Sequence, residues 1–262
     1  MIITDSTPLW QIDQVGGLKG RDPLRASRGC YAAITTPCND ALLIPQSEWQ
    51  ARIEERKKLG TGLKALIDRA GLEVLNQEQT NYCWCNGPTY AAMVGRLVQH
   101  QEVVRLSPAS VGAPIRGYVN KGGWGSEAIK YGQDHGWVPQ TLWPANAIDK
   151  RYDTPETQAV RQYYRVTEWQ LLREAYGDTK VNDQLALQRV VSYLLRNVPV
   201  PVGFNWWSHE VCAVDVDWIS GAVALLIANS WGTTWGDKGF GTIQGQRMVP
   251  DDAVAPQVMT AA

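Results

Sequence analysis

A chain of 262 residues that is 44% hydrophobic, 19% charged and 9% aromatic has the composition of a globular protein, which excludes disordered, collagen-like and low-complexity classes. Its net charge of −1 supplies no global field to recruit nucleic acid or an anionic membrane, and its most apolar stretch, 221–228, is too short to span a bilayer. Twelve Trp stand against two Phe, and the five Cys are an odd number, far below the density of a disulfide scaffold.

In chain order, residues 1–42 are interrupted by Gly16, Gly17, Gly20, Pro23, Gly29 and Pro37 and read as an extended arm. No basic-then-apolar leader opens the chain, so the expected location is cytoplasmic, where thiols stay reduced. Cys30 and Cys38 would pair only in an oxidising setting. Ser47-Glu48-Trp49-Gln50 caps a charged helical run over 51–58, and a second helix over 63–70 stops at Gly71. Asn86-Gly87-Pro88 precedes a helix over 89–101 with Ala92, Val94, Leu97 and Val98 on its buried face. Gly122-Gly123 marks a tight loop before a helix over 126–135, and a further helix covers 185–196. After Asn197 the pattern turns to short strands over 198–204, 211–217, 221–229 and 239–243. Helices first and strands later predict an α+β protein with a helical lobe and a β lobe. The expected organisation is an arm over 1–45, a domain over 46–250 that divides at about 155, and a tail over 251–262.

Chemistry narrows to few residues. Of the three His, His100 and His135 sit at helix ends and read as ordinary surface or satisfied rings. His209 opens a strand after Trp206-Trp207, where packing holds a ring and burial tunes its pKa. Cys83 and Cys85 are too close for a zinc knuckle, and no second Cys/His pair completes a tetrahedral set, so no metal is expected. Phosphate-loop, dinucleotide and GxSxG patterns are absent, so neither a cofactor nor a serine nucleophile is expected. Thiol chemistry is left. A thiol just ahead of a helix feels the positive end of the dipole, and with an imidazole beside it becomes a thiolate–imidazolium pair.

Four segments in order then resemble one family. Asn229-Ser230-Trp231-Gly232-Thr233-Thr234-Trp235-Gly236-Asp237-Lys238-Gly239-Phe240 resembles the NSWGxxWGxxGY segment of papain-like cysteine peptidases. The stretch Val74-Leu75-Asn76-Gln77-Glu78-Gln79-Thr80-Asn81-Tyr82-Cys83-Trp84 resembles the family's nucleophile segment, and Ser208-His209-Glu210-Val211 its histidine segment. Asn120-Lys121-Gly122-Gly123-Trp124, with Gly136 and Trp143-Pro144 behind it, resembles its glycine loop and the stretch that follows. His209 and Asn229 lie 126 and 146 residues after Cys83, close to the roughly 130–150 usual for the family.

The resemblance implies a two-lobe α+β fold, with a helical left lobe, an antiparallel β-barrel-like right lobe and a cleft between them. It implies Cys83 as nucleophile, His209 as base and acid, Asn229 as the group that orients the imidazole, and Gln77 as an oxyanion donor with the Cys83 amide. Trp231 would shield the Asn–His bond, with Trp84 also supporting the site. Gly122 and Gly123 would form an edge that pairs with extended substrate, and Trp235 a wall on the leaving-group side. Glu210 falls near the pocket for the second residue on the acyl side; there it either narrows the pocket and favours a basic side chain or points to solvent.

Departures from the family pattern also carry expectations. Cys85 is a rival to Cys83, because it too has a Gln six positions upstream. Asn81 and Glu78 stand where the family has Gly, and Asn tolerates positive φ better than most residues. Thr80 replaces a disulfide cysteine of secreted relatives, in keeping with a reduced compartment. Seventy-six residues precede Gln77, more than mature members carry; they are a propeptide or, as favoured here, a retained arm. The expected partner is a polypeptide substrate, with no nucleic acid and no membrane; the arm offers a surface for oligomer or assembly contacts. Two other readings stay open: a structural or binding protein that keeps the fold, as in a virion, and an acyltransferase using the same triad.

Overall fold

Glycine stops end the first two helices, the second at Gly71 as expected and the first, which runs two residues earlier at its start and one later at its end than the sequence suggests, at Gly60. Helix α1 (Trp49–Leu59) ends at Gly60 with φ 63°, and α2 (Leu63–Ala70) ends at Gly71 with φ 61°. This left-handed geometry carries no Cβ penalty in glycine and turns each capping amide back onto carbonyls of the last turn. The protein is described here from a computed structural model over residues 1–12, 17–18, 38, 40–173 and 182–260. The helical lobe adds α3 (Cys83–Val98), α4 (Ala109–Ile115), α5 (Gly125–Asp134) and α6 (Pro155–Val160). Helix α3 starts six residues before the expected position. The amides of Cys85 and Asn86 both donate to Tyr82 O, so the chain turns at once, and Pro88 is taken up inside the helix. Every residue from Cys83 to Arg96 is buried. A helix covered on all sides shows no amphipathic period, which is why its first turns were unreadable.

The β lobe is one seven-stranded sheet. Its strands are β1 (Ile2–Ile3), β2 (Val166–Leu171), β3 (Val200–Phe204), β4 (His209–Ile219), β5 (Ala222–Ala228), β6 (Phe240–Ile243) and β7 (Asp252–Met259), with α7 (Asp183–Leu194) packed on β3 and β4. The order is β1-β6-β5-β4-β3-β7-β2, and every neighbouring pair is antiparallel except β1 with β6. The sheet is therefore mixed, because the arm contributes a parallel edge strand, and Ile3 of that strand is fully buried. A second correction concerns the tail. Residues 252–259 form β7, inserted between β3 and β2, with Ala253, Val254 and Ala255 in the core. Pro256 within that run hides its strand character.

The lobes meet where α3 lies across β4. A short backbone seam joins them. The Gln77 amide donates to Ser230 O (2.8 Å), the Gly232 amide donates to Leu75 O (3.1 Å), and Asn76 and Trp231 pair as an antiparallel bridge. The first turn of α3 and the start of β4 thus face one cleft. Among the described residues no helix is long and apolar enough to cross a membrane, and no group of His, Cys, Asp and Glu has metal-site geometry. Cys38, Cys83, Cys85 and Cys212 carry free thiols, and Cys30 lies outside the described residues.

Candidate active site

His209 begins β4 and is fully buried. Its Nε2 lies 2.7 Å from Asn229 Oδ1, and the Ser230 amide donates to that same oxygen across 2.7 Å. A backbone N–H only donates, so this atom of Asn229 is the acceptor and His209 Nε2 must carry the proton. In the neutral ring the proton-free atom is then Nδ1, which has no hydrogen-bond partner among the described residues. Two indoles hold the ring in place: Trp231 stacks on it at 4.5 Å and 25°, and Trp207 meets it at 4.8 Å and 66°. Burial pushes the imidazole pKa down to about 4, against the opposing pull of the Asn229 hydrogen bond.

Cys83 is the first residue of α3 and is also fully buried. What covers it is the chain's own arm. The Gly17 amide donates to Cys83 Sγ (3.1 Å), the Gly123 amide donates to Gly17 O (3.0 Å), and the Leu18 amide donates to Ser208 O (3.3 Å). Leu18 runs parallel to the edge at Gly123, and its side chain rests on Gly203. Residues 17–18 are therefore a strap across the cleft, touching the thiol on one side and the residue before His209 on the other. Desolvation first and the Glu210 charge second push the thiol up to about 12, while the backbone N–H groups of Glu210, Gly17 and Trp84 pull the other way. Burial of the strapped site thus disfavours the charged form of both groups, the thiolate and the imidazolium.

Gln77 is fully buried beside them, with its Nε2 donating to Thr80 O (2.8 Å) and its Oε1 accepting from the Ser230 hydroxyl (2.6 Å). Gly122 and Gly123 lie along the strap. A Cβ on Gly123 would come within 2.6 Å of the Trp84 indole, so this stretch of edge requires a bare backbone. Trp84 carries that edge. Its Nε1 donates to Lys121 O (3.2 Å), and the Arg116 guanidinium lies 4.5 Å from its ring while paired with Glu127. Glu210 is buried, pairs with Gly203 across the β3–β4 ladder and sets its carboxylate against Gly125 at the start of α5; it does not point to solvent. Trp235 is buried edge-on to Trp231 at 6.1 Å and 84°.

Cys85 is separated from this group. Its sulfur faces Gly112 of α4, where an added Cβ would come within 2.8 Å, and burial raises its pKa well above the ordinary thiol value. Positive φ falls on Glu78 (51°) rather than on Asn81; the Glu78 amide is held by Asn76 Oδ1 at 3.0 Å. Several contributors went unrecognised in the sequence: Trp206 and Trp207, which stack at 5.4 Å beside His209, and Ser230, which ties Gln77 to Asn229. Their signals were proximity to His209 and membership of the Asn-Ser-Trp-Gly segment.

Residues 68–256 match the family model described as papain family cysteine protease. The chain is 26% identical over 196 residues to cysteine proteinase 2 of Entamoeba histolytica, covering 64% of this chain and 58% of that protein. It is 25% identical over 227 residues to mouse cathepsin K, covering 77% of this chain and 62% of that protein. The chain thus spans less than two thirds of the length of either relative. Among solved structures, procathepsin L 3 of Tenebrio molitor superposes with a TM-score of 0.57 at 20% identity, over 71% of this chain and 66% of that one. Xylellain, a cysteine protease of Xylella fastidiosa, gives 0.54 at 17%, over 73% and 83%. These two likenesses establish the fold, an α+β papain-like pair of lobes with a cleft between them. With a family model covering most of its length, this chain belongs to the papain family of cysteine proteases.

Proposed function

We propose that the chain is a cysteine peptidase that hydrolyses peptide bonds through Cys83, His209 and Asn229. The observation that carries this is the clamped imidazole: Nε2 is committed to Asn229, two indoles fix the ring, and Nδ1 is left free. Once substrate replaces the strap, Nδ1 takes the Cys83 proton and the thiolate attacks the carbonyl carbon. The imidazolium returns that proton to the leaving amine as the C–N bond breaks, which leaves a thioester. Water, deprotonated at Nδ1, then attacks the thioester; the carboxylic acid departs and the thiol is restored. Gln77 and the Cys83 amide stabilise the oxyanion at both steps. Gly122 and Gly123 pair with the acyl-side backbone, Trp235 walls the leaving-group side, and Glu210 favours a basic second acyl-side residue. The strap keeps the resting enzyme closed, and the pairing of the buried strand β1 with β6 supports a retained arm.

The test is labelling of the folded protein with an epoxide thiol inhibitor, followed by peptide mass mapping. Modification at Cys83 that parallels loss of peptidase activity is expected. Modification at Cys85 instead, or turnover that survives full labelling of Cys83, would overturn the assignment. A peptide-library profile unchanged by Glu210→Ala would remove the basic-residue preference.

A further inference from the structure

Gln77 is held from two sides. Its backbone amide donates to Ser230 O (2.8 Å) and its Oε1 accepts from the Ser230 hydroxyl (2.6 Å), which ties it to the Asn-Ser-Trp-Gly segment. On the other side lies Thr80. The Thr80 amide (3.0 Å) and hydroxyl (2.7 Å) both donate to Gln77 O, and Gln77 Nε2 donates back to Thr80 O (2.8 Å). A primary amide carries two N–H groups in one plane, so the bond to Thr80 O sets the direction of the second. The aim of the oxyanion donor thus depends on where the Thr80 carbonyl stands.

The turn over 77–80 that carries this carbonyl does not hold itself. Glu78 sits in it with φ 51°, the left-handed region that favours glycine. Another residue persists there only when its surroundings hold it. Asn76 Oδ1 holds the Glu78 amide from within the segment (3.0 Å). From the glycine edge, one side chain holds both flanks of Thr80: Asn120 Oδ1 accepts the Asn81 amide (2.6 Å), and Asn120 Nδ2 donates to Gln79 O (3.2 Å). A backbone amide only donates and a carbonyl only accepts, so these partners fix which way the Asn120 amide faces. The residues on either side of Asn120 are tied to the same segment, with Tyr82 Oη donating to Val119 O (3.0 Å) and Trp84 Nε1 to Lys121 O (3.2 Å). We infer that Asn120 is a positioning residue for the oxyanion donor: by clamping Gln79 and Asn81 it holds the Thr80 carbonyl that aims Gln77 Nε2. The inference deepens the peptidase reading and rests on it for the role of Gln77.

The experiment compares the full chain with its Asn120→Ala variant, using a fluorogenic peptide substrate, a peptide aldehyde and iodoacetamide. Asn120 is exposed, so its loss leaves the core untouched. Addition of Cys83 to the aldehyde forms a C–S bond and passes the thiol proton to the carbonyl oxygen, which the same donors hold. Alkylation by iodoacetamide forms a C–S bond, releases iodide and a proton, and develops no oxyanion. In Asn120→Ala, kcat is expected to fall about tenfold with KM unchanged and the aldehyde to bind about tenfold more weakly, while alkylation stays within about twofold. In a Gln77→Met background the same substitution should change turnover and aldehyde affinity by less than about twofold, because the donor it aims is gone. The comparison of Asn120→Ala with wild type stands whether or not the Gln77→Met chain folds. Unchanged turnover and aldehyde affinity, losses no larger than the change in alkylation, or losses that simply add in the double variant would each overturn the relay. If the wild type cleaves no peptide, the peptidase reading falls and the aldehyde affinities alone decide the relay. Absence of aldehyde binding as well would overturn both.

Discussion

The amide of Gly17 donates to the sulfur of Cys83 across 3.1 Å, so the nucleophile candidate is capped by a residue 66 positions earlier in the same chain. A methyl group at Gly17 has to displace either the strap or the Asn81 backbone. Overpacking of this kind costs about 1–3 kcal/mol, and the strap is the side that gives way. Gly17→Ala should therefore speed epoxide labelling of Cys83 by about tenfold, one decade per 1.4 kcal/mol. A rate no faster than wild type, measured by mass spectrometry over time, would show that the strap does not limit access.

The buried His209 links stability to pH. Its folded pKa of about 4 lies below the ordinary 6.5, so between those values the unfolded chain binds the extra proton. Stability is full above about pH 6.5 and is lost as pH falls through 4, by an amount on the order of 3 kcal/mol. Cys83 works from the other end. Its thiol is held near 12 against an ordinary 9, so stability drops as pH rises above about 9. Urea melts from pH 4 to 10 should show a plateau near neutrality, and His209→Asn should flatten its acid side. An unchanged acid limb in that variant would mean that other groups set it.

Cys83→Ala should abolish turnover, whereas Cys85→Ala should keep most of it. Cys85 packs against Gly112 and Tyr82 inside the helical lobe, so its loss acts on packing, at about 1 kcal/mol. Active-site titration alongside thermal melts separates the two effects. The assignment fails if the Cys85 variant folds normally and is inactive.

Glu210 and Gly125 should behave as a coupled pair. A Cβ on Gly125 would come within 2.7 Å of Glu210 Cδ and closer to Oε1, so Gly125→Ala alone should destabilise by about 1–3 kcal/mol. In Glu210→Ala the obstructing carboxylate is gone and the same substitution should cost much less. Simple additivity of the two changes in a double-mutant cycle would refute the contact.

Much of the candidate site was legible because its residues lie in short ordered segments: Asn229-Ser230-Trp231-Gly232 and Ser208-His209 are brought together by the His209–Asn229 contact, and Gly122-Gly123 lies against the strap. Helix stops at Gly60 and Gly71 follow from local backbone chemistry. Strand β7 and the first turns of α3 were not legible. Pro256 masks the strand, and complete burial removes the periodicity of the helix. Trp207 gave only a position two residues before His209, and its contact with the ring depends on the turn that brings them together.

The opening counts divide along the same line. From the sequence alone, the odd cysteine number and the Trp excess point to a free thiol and an aromatic cleft, because local motifs carry their own geometry. Only the tertiary structure gives Cys83 and Cys85 different neighbours, since positions two apart on a helix point to different sides: the strap for one and α4 for the other. It also set the burial of the pair, which disfavours both charged forms: a segment far away in sequence lies on Cys83, indoles from two separate segments pack on His209, and no local pattern encodes that burial.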